Sequence, residues 1–320
     1  MVLHLTTDEF ENRLHYGTDI PSIVRGTPIV VVEGPLDRRL AGIVDLLPCL
    51  VLGTGPDPLV DAVVDSDDLR AIETIAARYP QALVASALLL RGVGTRTVEQ
   101  SLVVESTTYS LLQSGTEFRT WCESRPSRGA APHDGSAEVL VERQGSGLLI
   151  ELNRPDRRNA LSQRMREQLT EALTLALVDD SITTVVLRGR GANFSSGGDL
   201  DEFGSFATPV QAHVSRLTSS VAQMLHRLRE RLGDRLVGEV HGANFGAGVE
   251  LPAFCGRVIA DTHTSMCLPE VSLGLVPGAG GTASISSRIG RQRTALMAFT
   301  AKTIDAHTAL SWGLIDEIVP

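Results

Sequence analysis

The chain has 320 residues, 42% hydrophobic and 21% charged, enough for one large domain or two small ones with a sizeable buried core. A formal net charge of -9 and only 4% aromatic residues argue against a nucleic-acid backbone as partner, but leave room for a small anionic ligand in a locally basic pocket. The four cysteines, Cys49, Cys122, Cys255 and Cys267, form no CxxC pair and no histidine stands at finger spacing, so neither a metal site nor a disulfide framework is expected. The start, MVLHLTTDEFENR, has no basic region followed by an apolar core, and no apolar run reaches about 18 residues. The expectation is a cytoplasmic protein with reduced thiols and no membrane contact.

In chain order, PIVVVEG reads as a strand, followed by a short helix and a second strand, CLVLGTG. From Asp67 onward the pattern is helical. DDLRAIETIAARYP and QALVASALLLRG form a pair broken near Pro80, a long helix runs from about Thr97 to Ser114, and EFRTWCES is the last. Residues Arg125 to Glu138, rich in Pro, Gly, Ser and Ala, read as a linker. VLVERQ and LLIELN, joined through Gly145-Ser146-Gly147, predict a β-hairpin. A helix over Leu161 to Val178, a strand TTVVLRG, one long helix from about Pro209 to Leu232 and a strand RLVGEVHG follow. After the short segment GVELPAFC come a strand RVIAD, two short helices and the closing GLIDEIVP. Strands alternating with helices place the chain in the α/β class.

Three glycine-bearing segments carry the chemistry. FSSGGDL, from Phe194, opens a loop whose glycines either let a ligand approach backbone N–H groups or make a plain tight turn. HGANFGAGVEL, from His241, runs a strand into Gly242, Gly246 and Gly248 and then into a helix start with free N–H groups at its positive end. Two such donors aimed at a developing oxyanion are each worth about 100-fold to 1,000-fold in rate. Glu250 stands in that first turn, where it is either a reactive carboxylate or a charge complementing the helix dipole. In LPEVSLGLVPGAGGT, Glu270 follows Pro269 amid apolar neighbours; such a setting raises a carboxyl pKa and suits it to proton transfer, unless it is an exposed loop charge. Cys255, Cys267, His213, His226 and His241 read as core or surface residues without a chemical role.

The order and spacing of NRPDRRNALS from Asn153, FSSGGDL, HGANFGAGVEL, LPEVSLGLVPGAGGT and TAKTIDAHTALSWGLIDEIVP make residues 137 to 320 resemble the enoyl-CoA hydratase/isomerase (crotonase) family. The resemblance implies an α/β, crotonase-like spiral of ββα units. It implies oxyanion-hole N–H donors at Gly198 and at Ala247, which replaces the middle glycine of the family's Gly-Gly-Gly-x-Glu run. The added methyl puts the acyl pocket's width in question. Glu250 and Glu270 match, in identity and separation, the two glutamates with which family hydratases hold one water. Arg158, Ala160, Asp199 and Leu200 match positions near the coenzyme A moiety, and Arg157 and Arg158 face its phosphates or are solvated surface arginines. No cofactor is implied beyond coenzyme A as part of the substrate.

The implied activity is that of an enzyme on an acyl-CoA, first hydration or dehydration of a 2-enoyl thioester. Isomerisation, hydrolysis or decarboxylation are alternatives on the same fold, and a non-catalytic partner subunit is one of another class. The family also implies a homo-oligomer, a trimer or hexamer. Family members continue past the GLIDEIVP segment with further helices, and this chain carries something like them upstream. DAVVDSDDLRAIETIAARYPQALVASALLLR includes the A-x-x-x-P-x-A element, and VEQSLVVESTTYSLLQSGTEFRTW the final E-x-x-x-Y/F-x-x-L helix. Residues 1–125 are therefore expected to be a shortened, largely helical crotonase-like unit, 126–136 a linker, and 137–320 the catalytic core. The upstream helices would complete that core, in cis or on a neighbouring subunit.

Overall fold

A computed structural model describes residues 2–125, 135–204 and 208–320. Most of the expected linker, 126–134, lies outside the described residues. The chain opens with β1 (Val2–Thr6), for which the sequence reading placed no strand, and α1 (Thr7–Tyr16), whose capping box joins Thr6 and Glu9. Next come β2 (Ile29–Glu33), α2 (Ala41–Val44), β3 (Leu50–Gly53) and β4 (Ala62–Val63). These strands form a parallel sheet in the order β1-β2-β3-β4. Both faces are covered, which explains why IVVV reads as a continuous apolar run rather than an alternation. The period-two geometry of a strand divides that run. Val30, Val32 and Val51 face a small core with Phe10, Leu14 and Leu47, while Ile29, Val31, Leu50 and Leu52 face the main core of the molecule.

Helices α3 (Ser66–Ala76), α4 (Pro80–Arg91), α5 (Val98–Gln113) and α6 (Thr116–Glu123) follow. A hairpin, β5 (Val139–Gln144) and β6 (Gly147–Leu152), leads to α7 (Gln163–Val178). Ser162 caps α7, which buries Met165, Leu169, Ala172, Leu173 and Ala176 at helical spacing. After β7 (Thr184–Gly189), the one long helix expected over Pro209–Leu232 is two, α8 (Pro209–Thr218) and α9 (Val221–Leu232). Ser219 leaves helical geometry and Ser220 starts afresh by accepting from the Gln223 N–H, because a serine side chain competes for backbone donors and favours a cap.

Then come β8 (Leu236–Val240), β9 (Ala243–Phe245), α10 (Ala247–Glu250), β10 (Arg257–Asp261) and β11 (Ser265–Cys267). The chain ends with α11 (Gly281–Thr300), β12 (Ile304–Asp305), α12 (Ala306–Trp312) and β13 (Glu317–Val319). Instead of two short helices, a 20-residue α11 broken at Gly290 (φ 79°) precedes α12. The larger sheet runs β13-β10-β8-β7-β6-β5, and a smaller one β12-β11-β9. Successive units thus send their first strand (β8, β10) to the large sheet and their second (β9, β11) to the small one, the step of a ββα spiral.

The helices after Asp67 lie on this second half. α3, α4 and α5 pack on α11, and α5 also on α8 and α9. Their buried Ile72, Leu83, Leu90 and Leu102 share one apolar core with Leu169, Leu225, Val249 and Phe299. One buried ion pair ties α4 to the N-terminal sheet: Arg91 donates through Nε and Nη2 to Asp61 (2.8 and 2.6 Å) and to the carbonyls of Val44, Leu47 and Cys49. Asp61 in turn accepts from the Val51 N–H of β3. Removing one member of such a pair strands the other charge, so Arg91→Met is expected to lower unfolding free energy by about 3–5 kcal/mol. A urea titration reads this as a lower midpoint at unchanged slope; an unshifted midpoint would show the pair to be dispensable.

Candidate active site

The site forms where the loop after β7 meets the turn between β9 and α10. Gly197 (φ 88°) packs so close to Phe245 that any side chain would collide with its carbonyl, and a Cβ there would stand 3.5 Å from the Ala247 N. This contact brings the loop that carries Gly198 against the turn that carries Ala247, and both residues line one cavity. Leu161 pairs with the neighbouring residues instead, donating to the Gly197 carbonyl and accepting from Asp199. Among the described residues neither the Gly198 nor the Ala247 N–H donates to a protein acceptor. The Ala247 methyl takes its place in the cavity wall, and the residue is 8% exposed.

The two carboxylates come from different elements. Glu250 ends the single turn α10, and Glu270 opens the 3-10 turn Glu270–Leu273. They converge over Gly246 (φ 49°): a Cβ there would collide with Glu270 Oε1 and lie 3.9 Å from Glu250 Oε1. Both are buried. Glu250 Oε2 accepts from the N–H groups of Ala279 and Gly281, each at 2.8 Å. Glu270 Oε2 is buried without a hydrogen-bond partner among the described residues. Burial raises the Glu250 pKa to about 7, against the pull of its backbone donors. Burial, then the neighbouring Glu250 charge, holds Glu270 well above the ordinary range. One carboxyl is thus prepared to stay ionised by two donors, and the other to keep its proton.

A third carboxylate, which no sequence signal marked as part of the site, enters from upstream. Glu105, in the middle of α5, is buried; it accepts at Oε1 from Gly280 N (2.7 Å) and at Oε2 from Thr282 N (3.0 Å) and the Thr282 hydroxyl. It is the glutamate of the E-x-x-x-Y helix, a pattern that suggested packing and no ligand. Burial, then the charge of Glu250, raises its pKa to about 8. One turn on, the Tyr109 ring packs against Gly278 and lines the same cavity. Arg216 of α8 also lines it, with Leu161, Arg166, Gly198 and Ala222.

The four expected coenzyme A positions divide. Arg158 (φ 52°) and Leu200 are exposed and lie outside the cavity lining, and Ala160 is buried. Asp199 is buried and lines the cavity, but it is held in an ion pair by Arg154 at 3.0 Å. Arg157 is ion-paired with Asp199 and Asp201, whereas the exposed Arg158 makes no ion pair among the described residues. His213 is bonded to Ser106, His241 to the Gly191 carbonyl, and His226 lies beside Glu99; none reaches the carboxylates. An acid and a base facing one cavity beside two unspent N–H donors can move protons next to a carbonyl while holding its oxyanion.

Comparison with known proteins agrees with this geometry. The family model described as enoyl-CoA hydratase/isomerase matches residues 142–320. The 2,3-dehydroadipyl-CoA hydratase of Escherichia coli K12 is 34% identical over 58% of this chain and 70% of its own length. The mitochondrial enoyl-CoA hydratase of Pongo abelii is 28% identical, over 57% of this chain and 62% of its own. Among solved structures, a putative enoyl-CoA hydratase from Thermobifida fusca YX in complex with CoA superposes with a TM-score of 0.51 at 32% identity, covering 57% of this chain and 72% of that one. The match takes in more than half the chain and every residue of the glycine turns and the Glu250–Glu270 pair: this protein belongs to the enoyl-CoA hydratase/isomerase family.

Proposed function

We propose that this protein is an enoyl-CoA hydratase that adds water across the double bond of a 2-enoyl-CoA. The observation that carries this reading is the convergence of Glu250 and Glu270 over Gly246, beside the free N–H groups of Gly198 and Ala247. In the reaction, Glu250 takes a proton from water as the water oxygen bonds to Cβ. The π electrons shift toward the thioester oxygen, where Gly198 and Ala247 donate to the enolate. Glu270 then delivers its proton to Cα, and the proton gained by Glu250 restores the pair for the next turnover. Relatives named as hydratases support the reading, and the E. coli relative's name specifies a 2,3-dehydroadipyl thioester. The exposed Arg158 and Leu200 would contact coenzyme A, while Asp199 would shape the cavity wall through Arg154.

We further propose that residues 1–125 are a shortened crotonase-like unit whose helices stand in for terminal helices that the relatives carry downstream. Packing of α3–α5 on α11 supports it. Among the described residues no helix is long and apolar enough to cross a membrane. The family resemblance and the free thiols favour a cytoplasmic homotrimer or hexamer, which sedimentation of the purified chain tests.

Glu250→Gln and Glu270→Gln are each expected to slow hydration of crotonyl-CoA by about 100-fold or more. Loss of the enoyl-thioester absorbance measures it, and an undiminished rate in either variant defeats the two-carboxylate mechanism. The pH dependence has a definite sign. Glu250 must be ionised, so kcat/KM falls as pH drops through about 7, and Glu270 must be protonated, so it falls again at alkaline pH. A flat profile from pH 5 to 9 would contradict these roles.

Glu105 acts as a positioning residue in this scheme. Its charge helps to hold the Glu270 proton, so Glu105→Gln is expected to move the alkaline limb of kcat/KM to lower pH besides reducing kcat. A lower kcat with an unmoved limb would reduce Glu105 to a structural cap.

A further inference from the structure

Arg216 is a half-buried cation in the wall of the active-site cavity that makes no ion pair among the described residues. Its guanidinium lies 4.5 Å from the centre of the Tyr109 ring. Its hydrogen bonds all go to neutral acceptors: Nε to Ser106 Oγ (3.2 Å), Nη1 to Gln113 Oε1 (3.4 Å), and Nη2 to Ser110 Oγ and the Ser106 carbonyl (3.4 Å). Several other partly or fully buried arginines hold carboxylates (Arg91 has Asp61, Arg154 and Arg157 share Asp199, and Arg288 has Asp316), while Arg96 and Arg229 bond backbone carbonyls away from this cavity. Of the acidic groups around the cavity, Glu270 is held toward its neutral form by burial and the Glu250 charge, and the others are engaged elsewhere. Glu105 is spent on Gly280 and Thr282, Glu250 on Ala279 and Gly281, Glu202 on the Gln163 N–H, Glu167 on the Gln163 side chain and Asp199 on Arg154.

A second cation, Arg166 on α7, lines the same wall close enough to repel it, also without an ion pair among the described residues. Burial and that repulsion both disfavour the Arg216 charge, so a wall built this way gains from an incoming anion. Tyr109 links this cation to the reacting end: its ring carries Arg216 and packs on Gly278, beside the amides that hold Glu250. Arg158 and Leu200, by contrast, are exposed and outside the cavity lining.

We infer that Arg216 receives a carboxylate at the far end of the acyl chain, so that the substrate is an ω-carboxy-2-enoyl-CoA rather than a methyl-terminated one. This rests on the acyl-CoA reading of the site. A planar guanidinium offers a carboxylate two parallel N–H bonds, and exchange of bonds to neutral acceptors for a charge-assisted pair favours that ligand.

Equilibrium binding of two saturated thioesters, adipoyl-CoA and hexanoyl-CoA, tests this without relying on turnover. The wild type is expected to bind adipoyl-CoA about 10-fold to 100-fold tighter. Arg216→Gln should erase that preference, and Arg216→Lys, which keeps the charge but not the fork, should retain part of it. Equal affinities in the wild type, or a preference for hexanoyl-CoA, would overturn the inference. So would an equal loss of both ligands in the glutamine variant together with a retained preference, which would place Arg216 on the coenzyme A phosphates. A preference for adipoyl-CoA in a protein that hydrates neither the six-carbon enoyl-CoA nor its ω-carboxy counterpart would uphold the inference and refute the hydratase reading.

Discussion

The first turn of α11 is the constraint on which the rest of the site depends. Residues 279 to 282 present successive backbone N–H groups that a helix start cannot satisfy internally. Two buried carboxylates share them in alternation: Glu250 takes Ala279 and Gly281, Glu105 takes Gly280 and Thr282. Neither could be buried at this depth without the donors and the positive helix end. The turn could not be buried against α5 without the carboxylates. Glycines at 280 and 281 permit the approach, since a side chain at 281 would strike Glu250 and one at 280 would strike Phe254.

This arrangement also sorts the protons. Three buried carboxyls line one cavity, and burial together with mutual repulsion opposes their ionising at once. Backbone donors to Glu250 and Glu105 offset part of the desolvation, while Oε2 of Glu270 has no hydrogen-bond partner among the described residues. The division into base and acid therefore follows from which carboxylate a helix end can reach. Such sorting costs stability. Above about pH 4.5 an unfolded chain releases protons that the folded one retains, so the contribution of these groups to stability falls as pH rises toward 8.

Because Glu105 and Tyr109 sit on α5, the upstream region belongs to the active site as well as to the core. α5 is placed by packing on α4 and α11, and α4 is tied through Arg91 and Asp61 to the N-terminal sheet. Gln292 and Arg291 of α11 reach back to the carbonyls of Asp57, Val60 and Pro58. The contacts thus run from the first sheet through α4, α5 and α11 to the catalytic turn.

Much of this was legible in the amino-acid order. Glycine turns, the helix start at residue 247 and two glutamates at a set separation are local patterns, and local patterns dictate local backbone: Gly197 and Gly246 are needed where φ is positive and another chain segment crosses closely. Continuous apolar runs likewise placed β2 and β3, and helical spacing placed α5 and α7. What the order of residues did not contain was distance. Glu105 stands 175 positions from Gly280, and Arg216 110 from Ser106. On its helix Glu105 looks like any glutamate among serines and valines, and Arg216 like a solvated surface cation. Only the packing of α5 against α11 and α8 removed water from both, and that removal makes one a partner of the catalytic carboxylate and leaves the other a cation without an anion.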